Sequence, residues 1–479
     1  MNRTNIFFSR IIVFIAAVCS LVCGCTSSGA QETPLPKNIP HITPAPVPTE
    51  AVSEFPTYTA PAITDAPNRD SDSETVLTAE QISAMNAAFL QFPGESAGLF
   101  DLASFKNGIS AERLKGLIAR GNLPSANGYV GQTPLSAQQR NEILNNRALD
   151  AVRNNSNVRF GFCVQRSDLR SVPFAPRVTS KPNDRFGDTL QESVVLQNEP
   201  LAVLHESADG KFLFVAAYFY VGWINSDSVA LCSSFEQWQA LLAPENDFLI
   251  VTGSSFRLCR DPYEPLVSEL ELTMGMRLSL AEKPGTIKSV RGRMSYDNYI
   301  VNVPSRAADG SLKFIEALVP ISRDVHIGYL PFTYSNVIRL ADKTRGEIYG
   351  WGGMLDARDC SALVMEIYRC FGIMLPRNTS DLAKLPEKYA ADVSSLSAEA
   401  KRETILSQPA GVILFFPGHV MIYYGSGNDL LCLSAAGKFA PVQSSATQNV
   451  YTVEVCSLDV RLSNGKTWLE AVEKIIRIG

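Results

Sequence analysis

Residues 350–375 read GWGGMLDARDCSALVMEIYRCFGIML. Within them Leu363, Val364, Ile367, Cys370 and Phe371 recur at helical spacing, which predicts a helix with one face against a core. Asp359 suits the N-cap of that helix and Gly372 its end. Cys360 therefore falls in the first turn, where unpaired backbone N–H groups and the helix dipole favour the thiolate, the nucleophilic form. A single cysteine is most often an inert core residue. The glycine-rich, aromatic approach Tyr349-Gly350-Trp351-Gly352-Gly353 weighs the other way, because it lets a chain pass close to the helix start.

A thiol nucleophile needs a base. The chain holds four histidines, His41, His205, His326 and His419. Residues 411–416 form an apolar run, Pro417-Gly418 breaks it, and a second strand pattern covers 419–424. His419 is the first residue of that second strand, pinned by rigid backbone beside a turn, as a general base requires. His41 lies in a proline-rich stretch, His205 precedes an acidic turn, and His326 belongs to a β-rich region.

Upstream the chain changes character several times. Residues 1–25 combine Arg3 and Arg10 with an apolar run at 11–22, too short for a comfortable membrane span, and end Val22-Cys23-Gly24-Cys25. This end resembles a bacterial lipobox, which implies a lipoprotein signal peptide with Cys25 lipidated and the mature protein exported and anchored to the cell membrane, facing the envelope. Residues 26–76 carry nine prolines between Pro34 and Pro67 among Thr, Ala and Ser, and read as a disordered tether. Residues 77–157 are helical in pattern, most clearly at 80–90 and 136–152. There Gly94-Glu95-Ser96-Ala97-Gly98 matches GxSxG in form, but it follows a helical run and Pro93 rather than a strand, so it lacks the context of a nucleophile elbow. Residues 158–235 and 236–333 break into short apolar runs at 194–204, 212–217, 220–224, 248–251 and 299–303, which suggest two small β-barrels. Residues 334–479 read as α+β, with helices first and a run of strands after.

Composition narrows the function. Hydrophobic residues make up 46% and charged residues 19%, which supports sizeable cores in a chain of 479 residues and so several domains. The balance of 43 basic and 48 acidic residues lacks the field that holds phosphate, so no nucleic-acid partner is expected. Without HExxH or CxxC spacing no metal and no cofactor is expected either.

The residues Tyr349-Gly350-Trp351-Gly352-Gly353, Arg358-Asp359-Cys360-Ser361, Phe371-Gly372-Ile373, Leu375-Pro376-Arg377-Asn378 and Phe416-Pro417-Gly418-His419-Val420-Met421-Ile422-Tyr423 together resemble the NlpC/P60 family of cell-wall cysteine peptidases. Residues 207–229, with Asp209-Gly210 and Gly222-Trp223-Ile224, resemble the later half of a bacterial SH3 repeat. The domain order is most similar to the γ-D-glutamyl-L-diamino acid endopeptidases. That resemblance implies a papain-like α+β catalytic domain preceded by two SH3-like barrels and a helical stabilising segment. It also implies that Cys360 attacks the γ-D-glutamyl to diamino-acid bond of peptidoglycan stem peptides or muropeptides, with His419 as base. Tyr349, Trp351, Asp359, Ser361 and Thr379 are implied to bind substrate, Asp359 by helping to hold a free N-terminal L-Ala amine. Glu192 and Tyr220 of the first barrel are implied to wall the site.

Family members place a third polar residue, commonly His, on the strand after the base. Here that strand, 430–437, reads LLCLSAAG. Matching the trailing Ala-Ala-Gly puts Ser434 at the third position, while a shorter hairpin puts Cys432 there; we take Ser434. A hydroxyl orients an imidazole without contributing charge, which leaves two other readings open: a catalytically impaired wall-binding lipoprotein, and an amidase on the same scaffold.

Overall fold

The computed structural model describes residues 74–154, 156–242, 248–426, 430–442, 444 and 446–479. The signal peptide, the lipidation of Cys25 and the tether, up to residue 73, lie outside the described residues.

The N-terminal segment is helical, with α1 Ala79–Gln91, α2 Ala111–Ala119 and α3 Ala137–Asn145. Thr78 and Ser136 each form a capping box with the glutamine three residues on. The 136–152 pattern stops short as a helix: after Asn145 the chain turns through Ala148 at φ +50 and resumes as one short 3-10 turn. His205 Nε2 lies 3.1 Å from the Arg147 carbonyl oxygen and 3.2 Å from that of Ala148, which ties the turn to the neighbouring sheet. The GxSxG look-alike is a 3-10 turn in which Ser96 Oγ donates to the Pro93 carbonyl at 2.6 Å, so its hydroxyl serves local structure.

Seven strands follow: β1 Arg159–Cys163, β2 Ser167–Arg170, β3 Gln191–Val195, β4 Pro200–Glu206, β5 Phe212–Ala217, β6 Tyr220–Asn225 and β7 Val229–Leu231. They pair antiparallel in the order β3-β2-β6-β5-β4-β1-β7. The apolar run at 194–204 is two strands rather than one, because Asn198 adopts φ +66 and reverses the chain ahead of Pro200. Both faces of this sheet are covered, which explains why β5 reads FLFVAA without polar alternation. Leu213, Val215 and Ala217 line the inner core, whereas Phe212, Phe214 and Ala216 pack with Leu114, Leu117 and Ile118 of α2 and with Trp238 of α4 Phe235–Leu242.

The next unit is built from small separate sheets. β8 Phe248–Val251, β9 Arg277–Ser279 and β12 Val325–Ile327 form one, and β10 Asn298–Arg306 pairs with β11 Leu312–Pro320 along its whole length. Its core gathers Leu249, Val251, Leu278, Val301, Val303 and Val319. His326 lies on β12, with Nδ1 3.0 Å from the Gly328 carbonyl oxygen.

The C-terminal part sets helices α5 Tyr334–Asp342 and α6 Cys360–Arg369 against a six-stranded sheet. Its strands are β13 Ala390–Asp392, β14 Ile413–Phe416, β15 His419–Ser426, β16 Leu430–Phe439, β17 Gln448–Ser457 and β18 Lys474–Ile476, in the order β13-β18-β14-β15-β16-β17. Every residue of α6 is buried, the polar ones included. One flank meets the sheet; on the other, Met365 enters the core of the first barrel. Ile82, Met85 and Phe89 of α1 join the same core as α6, and Asn86 bonds the backbone of Gly372 and Met374 just past the helix end.

Two buried arginines tie these parts together. Arg369 pairs with Glu199 of the first barrel at 3.2 Å and bonds the Tyr218 hydroxyl at 2.8 Å while lying over the Tyr218 and Phe219 rings. Arg358 bridges Glu347 and Glu366, each at 2.7 Å, and donates to the Ser254 carbonyl of the second β unit at 2.8 Å. Burial raises the Glu199 carboxyl, and the Arg369 charge opposes that rise. Replacing Arg369 by Ala leaves that carboxylate buried without its partner. Denaturant unfolding at neutral pH is expected to show a loss of about 3–5 kcal/mol, part of which the Glu199→Gln change restores.

Candidate active site

Cys360 opens α6, and the Asp359 side chain caps the helix by accepting from the Ala362 N–H at 2.9 Å. The thiol is buried, with Sγ 3.7 Å from Thr379 Oγ1 and facing the backbone N–H of Val420, the residue after His419. The helix start bearing Cys360 thus touches the start of β15, the strand whose first residue is His419. Burial pushes the thiol up and the Asp359 charge adds to it; the Val420 and Thr379 bonds and the Arg377 charge pull it back only in part. The helix start alone predicts a thiolate. Burial of the thiol instead shifts it toward its protonated form, because desolvation outweighs the helix start.

His419 stands opposite Phe416 across the tight Pro417-Gly418 turn, and its ring lies 4.9 Å from the ring of Trp468. Its Nε2 is 2.7 Å from Ser434 Oγ. Burial lowers the imidazole to about 4, with Asp359 acting against the shift. Ser434 is fully buried on β16. A register shift between Tyr423 and Gly425 in the β15–β16 pairing decides which residue reaches the ring. Cys432, two residues earlier on the same face of β16, lies further along the strand from the ring, and its sulfur is 3.7 Å from that of Cys456 on β17.

Asp359 does more than cap. Arg377 grips it with two bonds, Nη1 to Oδ1 at 3.0 Å and Nη2 to Oδ2 at 2.7 Å, and the Gly352 N–H adds a third partner on Oδ2 at 3.0 Å. The same guanidinium bonds Ser361 Oγ at 2.9 Å and, through Nε, Ser193 Oγ of the first barrel at 2.8 Å. Arg377 and the amide donors hold the Asp359 carboxyl below its usual range despite its burial. Both oxygens are occupied, so an incoming ammonium meets a carboxylate already neutralised. Arg377 stands in one of the quoted motifs, yet its role did not emerge from the sequence. The only signal was a basic residue set between Pro376 and the polar run Asn378-Thr379-Ser380-Asp381, and its partners at Asp359 and Ser193 lie 18 and 184 residues away.

The wall before Cys360 is shaped by the barrel. Gly352 and Gly353 take φ +57 and +89, and a Cβ on them would come within 2.8 Å of Gln191 Cγ and 2.5 Å of Val194 Cγ1. Gln191 Nε2 donates to the Gly352 carbonyl at 3.0 Å and Arg166 to that of Gly353 at 2.9 Å. Trp351 is left 54% exposed at the rim, and the Tyr349 ring lies 6.5 Å from that of Tyr451. Thr379 begins the short helix α7 Thr379–Leu382. Glu192 is the unpaired residue of a β-bulge between the pairs Leu169↔Ser193 and Arg170↔Gln191, which re-aims its side chain. Its Oε2 accepts from the Tyr220 hydroxyl at 2.6 Å and its Oε1 from Asn122 Nδ2 at 3.1 Å. A cavity of about 340 Å³ opens beside Glu192 and Tyr220 and is also lined by Asn378, Asp381 and Lys384.

Known proteins were compared with this chain. Residues 346–456 match the NlpC/P60 family, and residues 180–225 match an SH3 domain of the SH3b1 type. A solved NlpC/P60 endopeptidase from Photobacterium damselae subsp. piscicida is 16% identical, covers 86% of this chain and 95% of its own, and superposes with a TM-score of 0.63, which shows a shared fold. A solved NlpC/P60 family protein from Bacillus cereus is 17% identical over 66% of this chain and 99% of its own, with a TM-score of 0.46. No curated protein matches. The helix start bearing Cys360 and the strand start bearing His419 both fall inside the first match, so the C-terminal part of this chain is an NlpC/P60 domain, of a family whose members are generally cysteine peptidases or hydrolases, preceded by an SH3 domain.

Proposed function

We propose that the protein is a cysteine endopeptidase that hydrolyses the γ-D-glutamyl to diamino-acid bond of peptidoglycan stem peptides bearing a free N-terminal L-Ala. The observation that carries this reading is the meeting of Cys360, at a helix start, with the strand start that bears His419, whose far nitrogen is held by Ser434 at 2.7 Å.

With Nε2 engaged by Ser434, Nδ1 is left for the thiol. As substrate binds, the Cys360 proton passes to Nδ1 and the sulfur adds to the γ-glutamyl carbonyl carbon. The backbone N–H groups of the first turn of α6 face the oxygen on which charge develops. Collapse of the adduct breaks the C–N bond, and His419 returns its proton to the leaving amine. Water, deprotonated by the same imidazole, then splits the thioester and restores the thiol.

The substrate amine is assigned to Glu192 with Tyr220 rather than to Asp359 alone. Asp359 is neutralised by Arg377, whereas Glu192 forms no ion pair among the described residues and borders a cavity of small-molecule size. Asp359 contributes by holding Gly352 and so the wall that carries Tyr349 and Trp351. We also read residues 236–333 as a second SH3-like unit, and the chain as exported and lipid-anchored through Cys25, on the strength of the sequence.

Three outcomes follow for a peptide of L-Ala, γ-D-Glu and diaminopimelate. Cys360→Ala is expected to lower turnover at least about a thousandfold with the thermal midpoint retained; unchanged turnover refutes the nucleophile. Acetylating the alanine amine is expected to cost about a hundredfold or more in kcat/KM, since the half-buried Glu192 carboxylate then gains no ion-pair partner from the substrate; equal rates remove the amine pocket. His419 must be neutral to take the thiol proton, so activity is present above its lowered pKa and is lost as pH falls through about 4. A kcat/KM profile whose acid limb stands near the ordinary histidine value of about 6.5 overturns the burial argument.

A further inference from the structure

We propose that Cys432 and Cys456 are joined by a disulfide across β16 and β17, a modification site distinct from the chemistry at Cys360. The two residues are direct partners in the antiparallel register, their sulfurs lie 3.7 Å apart, and both side chains are fully buried. Directly opposed residues in such a pair have Cα atoms about 4.5–5.5 Å apart, inside the 4.4–6.8 Å range a disulfide spans, so closing the bond requires side-chain rotation rather than backbone movement. The other buried thiols turn elsewhere: Cys163 to the Gln165 carbonyl, Cys370 to that of Val251 and Cys360 to Thr379. The bond would lock the register of the strand that presents Ser434 two residues further on.

The oxidant is a disulfide-bearing donor, either a dithiol oxidase or a low-molecular-weight disulfide RSSR. One cysteine thiolate attacks RSSR and expels RS⁻, giving a mixed disulfide. The second thiolate attacks the protein sulfur of that mixed disulfide and expels the other RS⁻. The two cysteine protons pass by way of solvent to the two RS⁻, the cysteine pair loses two electrons, and RSSR becomes two thiols. Because neither sulfur reaches the surface of the folded sheet, the exchange belongs to folding, before β16 and β17 close.

The test is to refold the full chain with oxidised glutathione and, separately, with dithiothreitol, and to map its peptides without reduction. The expected result in the oxidised sample is a linked pair containing Cys432 and Cys456, lighter by two hydrogens than the separate peptides. A thermal midpoint higher by roughly 5 °C than in the reduced sample is expected too. A Cys432→Ala, Cys456→Ala variant, which removes both sulfurs without adding bulk to the buried pair, is expected to show no such difference between the two samples. If both cysteines of the wild type take up an alkylating label after denaturation of the oxidised sample, or are linked to other cysteines, the proposal fails whatever the variant does.

Discussion

The two-pronged grip of Arg377 on Asp359 is the constraint on which the site depends. Two charges are taken out of water there, at a desolvation cost that only close geometry and full hydrogen bonding offset. The geometry is close: both carboxylate oxygens and all three guanidinium nitrogens have partners. Through that one pair the cap of helix α6, the turn at Gly352, Ser361 and the first barrel are held in a single arrangement. Without the guanidinium, a bare carboxylate would sit beside the thiol and make its ionisation harder still.

The electrostatics of the pair then differ from an ion pair waiting in the open. Desolvation acts on both partners toward neutrality, the sulfur by gaining basicity and the ring by losing it. Ser434 adds direction without charge. A carboxylate or second imidazole in its place would favour the imidazolium; a hydroxyl fixes the ring and leaves its basicity to the surroundings. The enclosure made by Trp468, Phe416 and the barrel therefore matters as much as the residue types.

What the sequence revealed and what it withheld divide along range of interaction. The helix 360–369, its Asp359 cap and the strand start at His419 were legible because each is set by residues within one turn or one hairpin. The choice between Ser434 and Cys432 was not, since it turns on a register shift near Gly425 that no short pattern announces. The break of the 194–204 run at Asn198 lay hidden because the sheet is covered on both faces and its strands carry no polar alternation. Arg377 and Glu192 acquire meaning only through partners brought together by domain packing.

Met365 gives that packing a sharper meaning. It projects from α6 and completes the hydrophobic interior of the barrel, while Arg369, one turn on, meets Glu199 of the same barrel. The boundary between the two parts is thus a sequence boundary without a physical gap. Lifting the C-terminal part out as an independent cassette would expose an apolar plug and strand a cation, so an exchange of the barrel would have to carry the matching helix face along.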